Sequence, residues 1–493
     1  MAKRVSVIDI GSNSIRMVTY EKTSRFAFHI LDEAKSKVRI SENAYKNGGN
    51  LQEVPMQRTF DALENFLSIS NSLKARKILC VATSALRDAP NKKVFLDRVK
   101  KNLKLSIKVI DGEKEAYFGA LACANLLPTQ QNALSIDIGG GSTEFSIITN
   151  KDVSNTVSIE LGTVRLKELF FDTNKISEAK KYVDEKLKVL EGLAPSTLVG
   201  IGGTFRAVSS AIMSAKNHPL NKLHAYEYDI ETLQNFISSI LKTTTDDELK
   251  ALKIKNNRLD VIKPGVLILS RVLKKLSSLR YAITSGVGVR EGVYLRDMLR
   301  SSNFKMPEHY NPSVRYIIDA NITDTTFSNQ LNKLSKSLFD LTCKSFEIDN
   351  IYRKPLSISA KLYPAGANIH YYSKNLHSYY LVQTALEYGF RHQDIALISI
   401  LTKYAKKKLP SKIDKNKYKD LLPDSKILNY LSFILSLSVA LLAHRPRNID
   451  FNVEFDGKTL HVKSNSNLYL AKEATFKLEK IDNLDVVFVG GSD

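Results

Sequence analysis

Two stretches of this chain carry the same chemistry-bearing pattern. VIDIGSNSIRM runs from Val7 to Met17, and SIDIGGGSTEF from Ser135 to Phe145. Each has an apolar run ending in Asp-Ile-Gly, then small residues, then a second β-type run. Glycine lets a backbone turn sharply and approach a ligand closely. Exposed amides in such a turn form an anion nest. Gly11, Gly139, Gly140 and Gly141 are therefore candidate phosphate-binding residues, with Ser12, Asn13, Ser14, Ser142 and Thr143 as added donors. Asp9 and Asp137 end their strands, where a carboxylate can hold a metal or a water. One such loop is weak evidence, because glycine-rich hairpins are common. Two in the same strand–loop–strand setting point to phosphate.

Two further glycine turns follow. LVGIGGTFRAVSS, Leu198 to Ser210, reads as a strand, then Gly202-Gly203, then a helix. A helix N-terminus behind glycines is an anion site, although tight strand–helix turns also use glycine for packing. TSGVGVREGVYLRDM, Thr284 to Met298, brings Arg290 and Glu291 into the start of another helix.

The elements that must position these loops read as a repeat. Val5–Ile10, Ile15–Tyr20 and Phe26–Leu31 form a strand meander, followed by a helix at Met56–Ser70 and a strand at Lys77–Ala82. A helix at Asn91–Leu103, a strand at Ser106–Ile110 and a helix at Asp111–Asn125 complete the first half. The meander restarts with Ala133–Ile138, Thr143–Ile148 and Val153–Ile159. The helix Lys175–Leu190, strand Thr197–Ile201 and helix Gly203–Ser214 come next. Such alternation implies an α/β fold with covered sheet faces. The expected organisation is two duplicated α/β domains, 1–125 and 126–300, facing each other across a ligand cleft. A proline-bearing linker at 301–315, a mainly helical domain at 316–445 and a small α/β cap at 446–493 follow. Asp456-Gly457 between alternating residues marks a hairpin in that cap.

Composition narrows the function classes. At 493 residues the chain exceeds a single core. No run is apolar and long enough to span a bilayer; the richest, Leu428–Leu442, is broken by Asn429 and serines and reads as a buried helix. MAKRVSVIDIG enters a strand at once, which predicts no secretory signal. Cys80, Cys123 and Cys343 are too few and too scattered for a disulfide framework or zinc site, and suit a reducing cytoplasm. The formal charge of +21 favours polyanion partners. No motif supports a specific nucleic-acid partner, and no membrane partner is expected.

These motifs resemble the Ppx/GppA family of exopolyphosphatases and guanosine pentaphosphate phosphatases, in the superfamily of actin, sugar kinases and heat-shock ATPases. The family's two phosphate loops match Asp9-Ile10-Gly11-Ser12-Asn13-Ser14 and Asp137 to Glu144. ATSALRDAPN, Ala82 to Asn91, resembles the segment bearing a phosphate-contacting arginine, here Arg87. IELGTVRLKELF, Ile159 to Phe170, resembles another, with Arg165. The family's catalytic glutamate lies in Ser-Gly-x-Glu-Glu-Ala. Here IDGEKEA, Ile110 to Ala116, aligns its second glutamate with Glu115 and departs from its first at Lys114, while Glu113 reads as a solvated acid.

The resemblance implies duplicated actin-like (ribonuclease H-like) ATPase-fold domains, then an HD-like helical domain. It implies hydrolysis of inorganic polyphosphate or pppGpp by a homodimer. In the expected chemistry both loops hold a phosphoryl group and Mg²⁺ or another divalent ion sits near Asp9, Asp137 and Glu144. Glu115 activates water, and Arg87, Arg165 and Arg290 act as bidentate clamps. The family's later histidine cluster is reduced to His377, and Ala405 stands where a further histidine would be. The helical domain is therefore expected to be non-catalytic, with His370, His377 and His444 structural. Lys374, Lys403, Lys406, Lys407, Lys408, Arg445 and Arg447 would extend a polyanion track. A kinase on the same fold, or a non-catalytic polyanion sensor, are the competing readings.

Overall fold

The computed structural model describes residues 3–490. They divide into two compact units, one up to Tyr310 and one from Asn311 onward.

The first unit opens with the antiparallel meander β1 (Arg4–Ile10), β2 (Ile15–Lys22) and β3 (Phe28–Ser36). β4 (Lys77–Ala82) and β5 (Ile107–Val109) join in parallel on the far side of β1, giving the order β3-β2-β1-β4-β5. The second half repeats the plan with β6 (Ala133–Ile138), β7 (Thr143–Thr149) and β8 (Asp152–Ile159). β9 (Thr197–Ile201), β10 (Tyr226–Asp229) and β11 (Tyr281–Thr284) extend it to β10-β11-β9-β6-β7-β8. This is the duplicated α/β core that the repeat predicts. Each sheet has its own apolar core, with Ile8, Met17, Leu63 and Phe95 in the first and Ile136, Phe145, Phe205 and Leu269 in the second. The helix Glu53–Ser72 covers the first sheet with Met56, Thr59, Leu63 and Phe66, a helical stripe.

The two halves exchange their last helices. Gly112–Leu126, from the first half, packs on β7 and β8, whereas Val289–Met298, from the second, packs on β1 and on Gly112–Leu126. A Cβ on Gly292 would collide with the Phe118 carbonyl, and one on Gly112 with Ser158, so glycine sets both close approaches. The cut expected between 125 and 126 thus follows the order of the chain but not the packing.

The segment expected to be a linker, 301–315, is structured. Asn125 donates to the Phe304 carbonyl at 3.0 Å and accepts from Met306 N at 2.7 Å, fastening that stretch to the first unit. A helix, Pro312–Asn321, then starts inside the expected linker, with Asn311 as its N-cap accepting from Val314 N.

The second unit is mainly helical. Its apolar run forms the buried helix Ser425–Leu441. It ends in β12 (Asn452–Phe455), β13 (Thr459–Lys463) and β14 (Asp485–Val489), with the helix Tyr469–Phe476 between the last two strands. Asp456 and Gly457 make the hairpin, Asp456 Oδ1 accepting from Thr459 N at 2.7 Å and Gly457 taking φ 105°. No helix among the described residues is long and apolar enough to cross a membrane.

Candidate active site

The two Asp–Gly loops close identically. Gly11 N donates to Ser14 O at 3.2 Å, and Gly139 N to Ser142 O at 2.9 Å. In each loop a separate segment holds the carbonyls. The Ser12 and Asn13 carbonyls accept from the amides of Ser41 and Arg39. Those of Gly139 and Gly140 accept from the amides of Thr163, Val164 and Arg165, and that of Gly141 from Arg165 Nε at 2.9 Å. In a planar trans peptide the C=O and the following N–H point opposite ways. The N–H groups of Asn13, Ser14, Gly140, Gly141 and Ser142 therefore point away from those anchoring segments, the geometry of an anion nest. The loops nearly touch: a Cβ on Gly140 would lie 2.9 Å from Ser12 Cβ.

Both loops line a cleft of about 390 Å³ in the first unit. A third wall is the start of the helix Gly202–Ala215, whose N-cap Ile201 supplies no side-chain acceptor and so leaves first-turn N–H groups open to an anion. Gly202 is required there, because its φ is +78° and a Cβ would run into Asp137 Oδ1.

Register makes the repeated loops chemically unequal. Asp9 pairs across the strands with Arg16, whereas Asp137 pairs with Glu144. Burial and the neighbouring Asp137 push the Glu144 carboxyl up to about 8. Burial, opposed by Arg206 and reinforced by Asp9, pushes Asp137 up to about 6. Asp9 is also raised by burial, against the pull of Arg290, whose Nη1 lies 3.9 Å from Asp9 Oδ2.

Glu115 joins them. The Asp111 carboxylate caps its helix by accepting from Lys114 N at 2.7 Å, which fixes the first turn and points Glu115 into the cleft. Glu115 is only 9% exposed. Burial and Glu144 raise its pKa well above the ordinary value, while Arg87, donating from Nη1 to Oε2 at 2.8 Å, pulls it down. Lys114 is exposed and paired with Asp111, and Glu113 is exposed.

Not every expected residue lines the cleft. Gly11, Ser12, Asn13, Ser14, Gly139, Gly140, Ser142, Gly202, Gly203, Arg290, Asp9, Asp137, Glu144 and Glu115 do; Arg87, Gly141, Thr143 and Arg165 do not. Thr143 is fully buried and donates its hydroxyl to the Leu161 carbonyl, so it is not a free phosphate donor. Arg87 and Arg165 meet on Asp88, at 3.2 and 3.4 Å, with Arg87 also on Glu115 and Arg165 on Gly141. Both arginines thus brace protein acceptors. The lining adds cations that the motifs did not flag: Arg16, Lys35, Lys37, Arg206 and Arg258. Burial and the neighbouring Arg16 and Arg258 lower Lys35 to about 8. Arg16 was within reach of sequence reasoning, since it occupies in the first loop the place of Glu144 in the second.

The donor set fits a hard divalent cation. Asp9, Asp137, Glu144 and Glu115 offer only oxygens, burial disfavours their ionisation, and Asp9 Oδ1 is buried without a hydrogen-bond partner. Among the described residues no three His, Cys, Asp or Glu side chains gather as a ready-made metal cluster. In the second unit His444 pairs with Asp450 at 2.9 Å, and the rings of His370 and His377 lie 6.5 Å apart.

Comparison with known proteins identifies a family. The model of the Ppx/GppA phosphatase family matches residues 6–301, and that of Ppx/GppA phosphatase domain III matches residues 312–482. The chain is 32% identical to a bifunctional 3-dehydroquinate synthase/phosphatase of Fusobacterium nucleatum, over 54% of this chain but only 42% of that protein. It is 26% identical to a guanosine-5'-triphosphate,3'-diphosphate pyrophosphatase of Pseudoalteromonas translucida, over 90% of this chain and 88% of the relative. Among solved structures, an exopolyphosphatase from Cytophaga hutchinsonii superposes with a TM-score of 0.56 at 26% identity, over 62% of this chain and all (100%) of its own. The Aquifex aeolicus family member gives 0.54 at 25% identity, over 61% of this chain and 99% of its own. The chain belongs to the Ppx/GppA phosphatase family and is a phosphatase.

Proposed function

We propose that the chain removes the terminal phosphate of inorganic polyphosphate. The observation that carries this reading is the buried Glu115 carboxylate in a cleft on which both Asp–Gly loops and a helix N-terminus converge. Amides of the two loops hold the terminal phosphoryl group, as positioning and charge stabilisation dominate phosphoryl transfer. Glu115 orients a water and takes its proton as the water oxygen bonds to phosphorus. The P–O bond to the next phosphate breaks, and that bridging oxygen leaves with the electron pair. Arg87 positions Glu115. Arg16, Arg206, Arg258 and Arg290, with Lys35 and Lys37, bind the oxygens of the phosphates that follow. A divalent ion held by carboxylates among Asp9, Asp137 and Glu144 would neutralise charge on the transferring group.

A second reading is 5'-phosphate removal from pppGpp to give ppGpp. It is favoured by the relative named as a guanosine-5'-triphosphate,3'-diphosphate pyrophosphatase, which matches along 90% of the chain. Phosphate release by the purified protein with Mg²⁺, from long-chain polyphosphate and from pppGpp in parallel, separates the two. Release from pppGpp alone moves the chain to the alarmone reading. Release from neither, with binding intact, rejects both.

A further inference from the structure

The second unit holds a larger cavity, of about 850 Å³, that the phosphatase reading leaves without a use. This is within the size range of small-molecule sites. Its floor and walls are mainly apolar: Leu376, Val439, Ala440, Leu442, Leu470 and Leu478 contribute. Leu376 and Leu470 at its edge remain 49% and 52% exposed.

The charge around this apolar hollow is one-sided. Lys403, Lys406, Lys407, Lys408, Arg445 and Lys477 line it against a single carboxylate, Glu473. Lys477 takes Glu473 at 2.6 Å, Lys403 takes Asp414 at 2.6 Å, and Lys406 donates to the Tyr372 carbonyl at 2.9 Å. Arg445 stacks on Phe327, 3.4 Å from the ring centre. The ammonium groups of Lys407 and Lys408 make no hydrogen bond or ion pair among the described residues. Both are exposed and open to an anion.

Most neutral polar groups around the cavity are already engaged within the protein. Asn375 Nδ2 donates to the Lys403 carbonyl at 2.6 Å and its Oδ1 is sealed from solvent. Ser436 donates to the Tyr404 carbonyl at 3.0 Å, and the Tyr404 hydroxyl to Asp414 at 2.6 Å. Both hydroxyls are thus committed to protein acceptors, while Asn375 Oδ1, buried without a hydrogen-bond partner, is an acceptor left over.

We propose that this cavity binds a single-chain amphipathic anion, a phosphate or carboxylate head on an aliphatic tail. The head sits on Lys407, Lys408 and Arg445, and the tail lies along the leucine-lined floor. The site differs from a polyphosphate track in requiring an apolar body, and it stands independently of the phosphatase substrate.

Calorimetric titration of the full chain with octyl, decyl and dodecyl phosphate, each below its micelle-forming concentration, tests this. Affinity should rise about tenfold for each two methylenes added, the increment expected for burying an alkyl chain. Decanoate should bind as decyl phosphate does, within a few-fold. Lys407→Glu with Lys408→Glu, both exposed positions, should weaken every member of the series at least tenfold with its melting temperature unchanged. Affinity independent of tail length, or inorganic triphosphate binding as tightly as dodecyl phosphate, would overturn the proposal in favour of a bare polyanion surface. Capture by phosphatidylglycerol vesicles without binding of the monomeric amphiphiles would overturn it in favour of a lipid surface.

Discussion

Arg87 Nη1 lies 2.8 Å from Glu115 Oε2, so the arginine expected to clamp phosphate instead holds the carboxylate expected to activate water. This pair sets how the site responds to mutation and to pH.

Glu115→Gln keeps the shape of the first helical turn and removes the proposed base. Phosphate release should fall by about 10²–10⁴-fold, the usual contribution of general-base catalysis. Equilibrium binding of polyphosphate should change by less than about threefold. A variant retaining more than a tenth of wild-type turnover would exclude Glu115 as the base.

Arg87 opposes the upward push of burial and Glu144 on Glu115. Removing it should raise that pKa further. Water activation needs the ionised carboxylate, so activity rises with pH through this group. The acid limb of the kcat/KM profile should therefore move to higher pH in Arg87→Ala and partly return in Arg87→Lys. An unmoved limb with a raised KM would instead make Arg87 a phosphate contact.

Glu291 ties the exchanged helix to the first sheet. Its Oε1 accepts from the Tyr20 hydroxyl at 2.6 Å and its Oε2 from Gly288 N at 2.7 Å. Burial pushes its pKa up, but Arg290, Tyr20 and Arg206 outweigh that, and the net direction is down. A depressed carboxylate stabilises the fold above its unfolded pKa of about 4.3 and loses that contribution as pH falls through the lower folded value. Denaturant midpoints should drop below about pH 4.3, and Glu291→Gln should flatten that drop at the cost of about 1–3 kcal/mol at neutral pH. Equal acid slopes in both proteins would refute the assignment.

Gly202→Ala forces a Cβ into a positive-φ position facing Asp137 Oδ1. The expected cost is about 1–3 kcal/mol of stability, with phosphate release reduced by at least tenfold because the helix start and Asp137 must move apart. Thermal melts and turnover measured together check it; a variant as stable and active as wild type would mean that the loop relaxes freely.

The cleft carries six cationic side chains, and the chain a net +21. KM for long polyphosphate should rise steeply between about 0.05 and 0.5 M salt as screening shortens the reach of these charges. A salt-independent KM would place recognition in the loop amides alone.

Local structure was legible in the residues alone. Asp-Ile-Gly followed by small residues, twice between apolar β-type runs, favours a tight turn, so both loops, their flanking strands and the duplicated α/β plan were legible from Asp9 and Asp137 outward. The first-turn position of Glu115 followed from the helical pattern after Asp111. Tertiary structure decided what those pieces meet. The exchange of the Gly112–Leu126 and Val289–Met298 helices depends on Gly292 lying against Phe118, a contact between residues more than 170 positions apart. The partners of Arg87, Arg165 and Thr143 are acceptors, at Glu115, Asp88, Gly141 and Leu161, that arrive from another helix and from separate loops. The exchange of Arg16 for Glu144 between the two loops stands in the sequence, but that each faces its own loop's aspartate, Asp9 or Asp137, is set by strand register. A motif fixes a backbone turn because that turn is made of neighbouring residues. A side chain's partner is fixed by packing, which joins residues that the linear order keeps apart.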